Sequence, residues 1–323
     1  MENKKKHALV TGGAGFIGSH MVDALRGNGW HVTVLDDLST GSLANLKDVL
    51  TPDVNFINGS IEDTRLIREL ATGKDAVFHF AAMVSVPLSI EKPEDCQRLN
   101  VTAPWNLLLA LREHPIPFFY ATSAAVYGNR SEGARSEDEP PLPPSPYGMS
   151  KAINELQALT ARNVWRIPAV GFRFFNVYGP RQNPEGAYAS VIPRFCSALA
   201  NGERPTVFGD GSQTRDFIYV NDITRIMLKM LPKAEEAAGQ VFNVATGVSI
   251  SVQALLELIT KKMGGEPNEI RKPARAGDIR DSRADITKLK KFLGEIEFTD
   301  IDKGLNDTIK WYKEAAKHSN ARG

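Results

Sequence analysis

Six short apolar runs punctuate the first half of the chain: HALVTG, HVTVLDD, VNFINGS, DAVFHFAA, PFFYATSAAVYG and AVGFRFFNVYG. Their apolar positions are almost continuous rather than alternating, the pattern of strands covered on both faces. Helix-like segments such as GSHMVDALRGNG and CQRLNVTAPWNLLLALREH stand between them. Strand and helix in steady succession predict an α/β fold, a Rossmann-type doubly wound parallel sheet. A later run, QVFNVAT, predicts one more strand near 241–246 that returns to the first sheet. The second half is less regular. Its loops are rich in Gly, Pro and charge (GPRQNPEGAY, FGDGSQTRD, KPARAGDIRDSRAD), and two helices near 285–293 and 302–317 close the chain. The expected division is a domain over residues 1–180 followed by a smaller one over 181–323.

Composition narrows the function classes. With 323 residues the chain can form one large or two modest domains with ample core. Lys and Arg number 39 against 38 Asp and Glu, so no basic surface argues for nucleic acid or an anionic membrane. Cys96 and Cys196 lack the spacing of a metal site, so no metal is expected, and reduced thiols are expected in preference to a disulfide. The opening MENKKKHALV begins like a signal peptide, but its apolar part ends at once in glycines. No run approaches transmembrane length. The expectation is a cytoplasmic protein with no membrane partner.

The first run ends in HALVTGGAGFIGSH, which places Gly12, Gly15 and Gly18 at a strand-to-helix turn. Glycines there let the backbone approach a pyrophosphate, and the helix N-terminus stabilises its charge. The second strand ends in Asp36-Asp37. A carboxylate at Asp36 accepts hydrogen bonds from an adenosine ribose and repels a 2′-phosphate, which favours NAD over NADP. Asp37 either joins that contact or caps a turn.

Further on, SPYGMSKAINEL supplies a helix start, with Ser145 as cap and Pro146 at the first position. Tyr147 and Lys151 then share one helix face. A tyrosine has an ordinary pKa of about 10 and needs roughly 3 units of lowering, about 4 kcal/mol, to act as a base near neutrality. Two cations at about 5 Å, Lys151 and a nicotinamide ring, each contribute about 3 kcal/mol at an effective dielectric of about 20. Occupancy by the cofactor should therefore govern the base. Ser123, in ATSAAVYG, would position the reacting oxygen.

TGGAGFIG, a serine on the strand before Y-x-x-x-K, and RFFNVYGPRQ together resemble the extended short-chain dehydrogenase/reductase family over nearly the whole chain. Within it the second half is similar to nucleotide-sugar 4-epimerases, especially those acting on UDP-glucose and UDP-N-acetylglucosamine. The resemblance implies a C-terminal UDP-sugar-binding domain and further NAD contacts from Phe16, Ile17, Leu38, Ser39, Thr40 and Gly41. Phe80, Ala81, Ala82, Asn100 and Phe175 complete that set. Ser60 stands where the family usually has an adenine-contacting aspartate, with Ile61 beside it approaching the base.

For the substrate the resemblance implies Asn176 and Arg215 at the diphosphate, Arg275 and Asp278 at the phosphate and ribose, and Ser282 on the sugar-pocket wall. Ser85, Tyr188, Val191 and Phe208, with Ser123 and Tyr147, line the remainder. Arginines suit a diphosphate and a carboxylate suits a ribose diol. The family also implies a homodimer formed through helices around 98–112 and 150–163.

Two alanines, Ala124 and Ala125, follow Ser123. Dehydratases resembling this sequence carry an Asp-Glu pair there, and decarboxylating relatives a glutamate. Without an acid or base beside the ring carbons, a 4-keto sugar can only be reduced again. The expected reaction is inversion at C4 with NAD retained. The nearest rival is a uronate 4-epimerase, whose relatives usually show threonine in place of Asn176.

Overall fold

A computed structural model of the chain describes residues 5–130, 133–185, 189–274 and 279–320, with side chains through residue 317. The chain divides into two compact units. The first takes Met1–Gly128, Pro140–Phe174 and Ile223–Phe242, and the second takes Asn129–Glu139, Phe175–Asp222 and Asn243–Gly323.

In chain order the first unit begins β1 (His7–Thr11), α1 (Phe16–Gly27), β2 (His31–Asp36), β3 (Val54–Asn58), α2 (Thr64–Ala71) and β4 (Ala76–His79). Then come α3 (Val86–Glu91), α4 (Pro93–Gln97), α5 (Ala103–Leu111), β5 (Phe118–Ser123), α6 (Pro146–Trp165) and β6 (Ala169–Phe174). Next are β7 (Asn176–Tyr178), α7 (Val191–Ala200), β8 (Thr206–Phe208), β9 (Thr214–Tyr219), α8 (Val220–Met230) and β10 (Val241–Val244). The chain closes with β11 (Ser249–Ser251), α9 (Val252–Met263), β12 (Ile270–Lys272), β13 (Asp281–Ser282), α10 (Thr287–Leu293) and α11 (Ile301–Asn320).

Seven strands form one sheet in the order β10-β6-β5-β4-β1-β2-β3. The pairs from β6 through to β3 are parallel. The strand order reverses between β1 and β4, and ligands in such sheets bind beyond the carboxyl ends of the strands at that point. The loops after Thr11 and His79 are therefore the place to look.

The apolar runs become strands because both faces are covered, and every residue of β4 and β6 is buried. VNFINGS differs: β3 is the sheet edge, and Asn55 and Asn58 are exposed. On one face, α2, α5 and α6 pack a core that includes Leu9, Val77, Leu107, Phe118 and Ala161. Each large apolar side chain buried there stabilises the unit by about 1.5–3 kcal/mol.

Two expected elements divide. AVGFRFFNVYG is one run in sequence but two strands in space. β6 ends at Phe174, opposite Ser123 at the end of β5, and its ladder with β10 closes with the bond from the Phe175 N–H to the Val244 carbonyl. β7 then pairs in parallel with β9 in the second unit. CQRLNVTAPWNLLLALREH likewise is not one uniform helix, because Arg98–Thr102 winds as a π-turn between α4 and α5.

In the second unit β9 lies between antiparallel β11 and parallel β13, while β8 pairs with β12. Asp216 on β9 is fully buried and accepts from Thr246 N and Oγ1 and from Gly247 N, which holds the 246–247 turn. Among the described residues no helix is long and apolar enough to cross a membrane.

Candidate active site

The β1–α1 turn is built by close approach. Gly12 has φ +70°, and a Cβ there would lie 2.6 Å from the Ala81 nitrogen in the loop after β4. A Cβ on Gly18 would lie 2.1 Å from the Gly12 carbonyl oxygen. Only glycine fits either position. Gly15 is the N-cap of α1 and brings no capping side chain, so no side chain competes for the helix's first N–H groups. Phe16 and Ile17, both half-buried, open that helix.

Asp36 is 8% exposed, and its carboxylate accepts from the backbone N–H of Ala14 and of Leu38, each at 2.9 Å. Burial raises its pKa, and those two bonds oppose the shift. A Cβ on Gly41 would come within 2.9 Å of its Oδ1. Leu38 adopts φ +59°, uncommon for a residue with a side chain. Asp37 caps a turn by accepting from Ser39 N–H at 2.9 Å, and Asp37, Ser39 and Thr40 are exposed. Ser60 likewise accepts from Glu62 N–H, beside buried Ile61. The glycine cradle, the open helix start and a carboxylate ending β2 fit the adenosine and pyrophosphate of NAD.

The sequence around α6 folds as its local signals dictate. Ser145 caps the helix by accepting from Gly148 N–H at 3.1 Å, with Pro146 in the first turn. One turn then separates Tyr147 from Lys151, whose Nζ lies 5.9 Å from the tyrosine ring centre. The Lys151 ammonium donates to the Ala121 carbonyl at 2.9 Å, and the Ser123 hydroxyl lies near enough to that of Tyr147 to lower its pKa. Ser123, Tyr147 and Lys151 are thus brought together.

Burial raises the Tyr147 pKa and the neighbouring Ser123 lowers it. Lys151 is 4% exposed, and burial pushes it down to about 8. Nearby His79 pairs with Thr11 and is pushed down to about 3, so it adds no positive charge beside Lys151 at neutral pH. Ala124 and Ala125 open a short 3-10 turn that Ser123 caps through Ala125 N–H at 3.1 Å. The helix start packs against it, since a Cβ on Gly148 would lie 2.8 Å from the Ala125 carbonyl oxygen.

Behind this trio lies a buried network that the sequence reading missed. Arg173 on β6 makes a two-pronged contact with Glu155 on α6, at 2.9 and 2.7 Å, and donates to the Tyr127 hydroxyl at 2.8 Å. Thr122, next to Ser123, donates to the same Glu155 at 2.8 Å. Two signals were available. Glu155 continues the four-residue spacing of Tyr147 and Lys151, and an arginine inside an apolar strand requires a partner.

Asn100 is 1% exposed, with its amide committed to the backbone of Met83 and to Ser150. Phe80, Ala81 and Ala82 are half-buried, and Ser85 caps α3 by accepting from Leu88 N–H. In the second unit Asn176 donates to the Asp216 carbonyl at 3.0 Å, and Phe175 is 8% exposed. Arg215 and Ser282 sit opposite each other on β9 and β13. Val191 begins α7, and Phe208 lies under the Arg194 guanidinium. Tyr188, Arg275 and Asp278 lie outside the described residues.

A glycine cradle at the switch point of a parallel sheet, with a serine and a tyrosine hydroxyl side by side near a buried lysine, defines a Rossmann-type enzyme of the extended short-chain dehydrogenase/reductase class. Residues 8–245 match the NAD dependent epimerase/dehydratase family, and the chain belongs to it. NAD is that family's cofactor. The chain is 36% identical to a UDP-glucose 4-epimerase of Mycolicibacterium smegmatis over 96% of its own length and 99% of the relative's. A UDP-N-acetylglucosamine 4-epimerase from Methanobrevibacter ruminantium, solved with UDP-N-acetylmuramic acid, superposes with a TM-score of 0.91 at 37% identity. That match covers 97% of this chain and 99% of the other. A UDP-glucose 4-epimerase of Thermotoga maritima, solved with UDP-glucose, gives a TM-score of 0.89 at 34% identity, covering 96% and 99%.

Proposed function

We propose that this enzyme is an isomerase that interconverts UDP-sugars at C4, acting on UDP-glucose and UDP-galactose and on their N-acetyl counterparts. The observation that carries the reading is Ala124-Ala125 in the turn after Ser123: the hydroxyl pair has no acid or base immediately following it in the chain. Tyr147 takes the C4 hydroxyl proton as base and returns it as acid. Ser123 orients that oxygen, and Lys151 supplies a fixed positive charge that favours the tyrosinate. Held by the Gly12–Gly15–Gly18 cradle and Asp36, NAD would supply reversible hydride acceptance at C4, with no net redox change over the cycle. The 4-keto sugar formed between the two transfers turns over, and its reduction from the opposite face inverts C4.

Arg215 and Asn176 serve the diphosphate in this reading, and Gly12, Gly15, Gly18 and Asp36 hold the cofactor. The test is a panel of UDP-sugars, UDP-glucuronate included, incubated without added NAD in deuterated water. C4 epimers of the neutral sugars should form with no deuterium at C3, C4 or C5. Deuterium at C5, or a deoxy product, would show elimination and overturn the reading.

We also propose that the enzyme is a homodimer joined through α5 and α6. α6 carries exposed Leu156 (64%) and Leu159 (42%), three residues apart on one face, and exposed Val164 (63%). Light scattering should return twice the chain mass for the native protein. The Leu156→Glu, Leu159→Glu variant should return a single chain, and a monomeric native protein would refute the assignment.

A further inference from the structure

We propose that Asn154 and Gln157 are positioning residues that hold the loop after β4 in place, by restoring hydrogen bonding that Pro104 takes away. The inference rests on reading that loop as cofactor-facing, and it concerns residues that touch neither cofactor nor substrate.

Helix α4, the π-turn at Arg98–Thr102 and α5 follow one another without a break. Pro104 lies in the first turn of α5. A proline has no N–H, and in helical winding that missing donor is the one serving the carbonyl four residues back. Four residues back is Asn100, in the middle of a π-turn whose own bond, from the Ala103 N–H to the Arg98 carbonyl, spans five residues, so the passage into α5 is short of donors for the carbonyls around Asn100. Asn154 on α6 supplies the donor from its side chain, at 2.7 Å from the Asn100 carbonyl oxygen. Gln157, three residues on, donates to the Val101 carbonyl at 3.0 Å, and its own oxygen accepts from Asn154 at 3.1 Å. Asn154 is 5% exposed, so an unfilled carbonyl at this place would be cut off from water.

The held turn aims the Asn100 side chain. Its Oδ1 accepts from Met83 N–H at 2.8 Å, and its Nδ2 donates to the Met83 carbonyl at 2.9 Å. The same nitrogen donates to Ser150 Oγ at 3.1 Å, and Ser150 donates to the Tyr147 carbonyl at 2.7 Å. Met83 stands two residues after Ala81, whose nitrogen lies against Gly12. One face of α6 therefore carries both the Tyr147–Lys151 pair and the amides that fix the opposing loop. π-turns are found disproportionately at functional sites, and this one couples loop and helix.

The experiment compares the native protein with Asn154→Leu, Pro104→Ala and the double variant, each as purified. Hydrogen exchange is read on the peptide containing Met83, together with kcat and KM for UDP-glucose. Asn154→Leu should speed exchange at that peptide and lower kcat, each about tenfold, with KM changed by less than about twofold. Pro104→Ala should reverse both effects in the double variant, because the substituted residue again offers an N–H to the carbonyls of this turn. Recovery of a folded double variant from an unfolded single one supports the proposal equally. Unchanged exchange in Asn154→Leu, or no rescue by Pro104→Ala, overturns it. Exchange that behaves as expected in a protein forming no C4 epimers would sink the proposed reaction alone.

Discussion

Tyr147→Phe should lower turnover by at least about 100-fold while UDP-sugar binding persists, the usual worth of a positioned general base being about 10²–10⁴. The substitution removes one hydroxyl and leaves the ring, so the helix start that Ser145 caps stays intact. What it removes is the proton carrier beside Ser123. Burial raises that hydroxyl's pKa in the free protein, and Lys151 is itself weakened as a cation because burial brings it down to about 8. Below pH 8 Lys151 holds its charge; above it the charge is lost and the tyrosinate loses its neighbour. The native rate should therefore fall as pH rises past about 8. Near-normal epimerisation by Tyr147→Phe in a steady-state assay would remove Tyr147 from the role of base.

Ser282→Tyr should lower the reaction on UDP-N-acetylglucosamine by about 5- to 150-fold and spare that on UDP-glucose. Ser282 is half-buried on β13, directly opposite Arg215 on β9, the proposed diphosphate partner. A 4-keto ring that turns over inside its site needs clearance for the C2 substituent in two orientations. Serine leaves that space and offers a hydroxyl to an amide, whereas a tyrosine ring would fill it. Overfilling a packed site costs about 1–3 kcal/mol, which is about 5- to 150-fold in rate for the bulkier sugar alone. The measurement is kcat/KM for both sugars in both proteins. A native enzyme that ignores UDP-N-acetylglucosamine, or a tyrosine variant that handles both sugars unchanged, would sink this account of the pocket.

Local periodicity made the nucleotide-binding half legible. Runs of nearly continuous apolar residues read as strands, and each of the six contributes a strand to the parallel part of the sheet. The glycine turn was equally open to reading, because a Cβ at Gly12 or Gly18 is excluded by atoms that the turn itself, or the next loop, must bring close. The four-residue step from Tyr147 to Lys151 needed only the helix period. The buried partners were harder. Glu155 and Arg173 are 18 positions apart, and only the packing of α6 on the sheet brings them to 2.7 Å.

By itself, then, the sequence determined what short-range sterics and a 2.0- or 3.6-residue period can specify: the strand–helix succession, the cradle, the Tyr–Lys face and the cap before it. Tertiary structure alone decided where one apolar run changes sheets, since nothing local in AVGFRFFNVYG says that β6 will end at Phe174 and that Asn176–Tyr178 will pair with β9. It also decided the π-turn. The Asn100 carbonyl inside it is met by the Asn154 side chain, which arrives from 54 residues later. A hydrogen bond of that span depends on two helices packing side by side, and that is a property of the whole core.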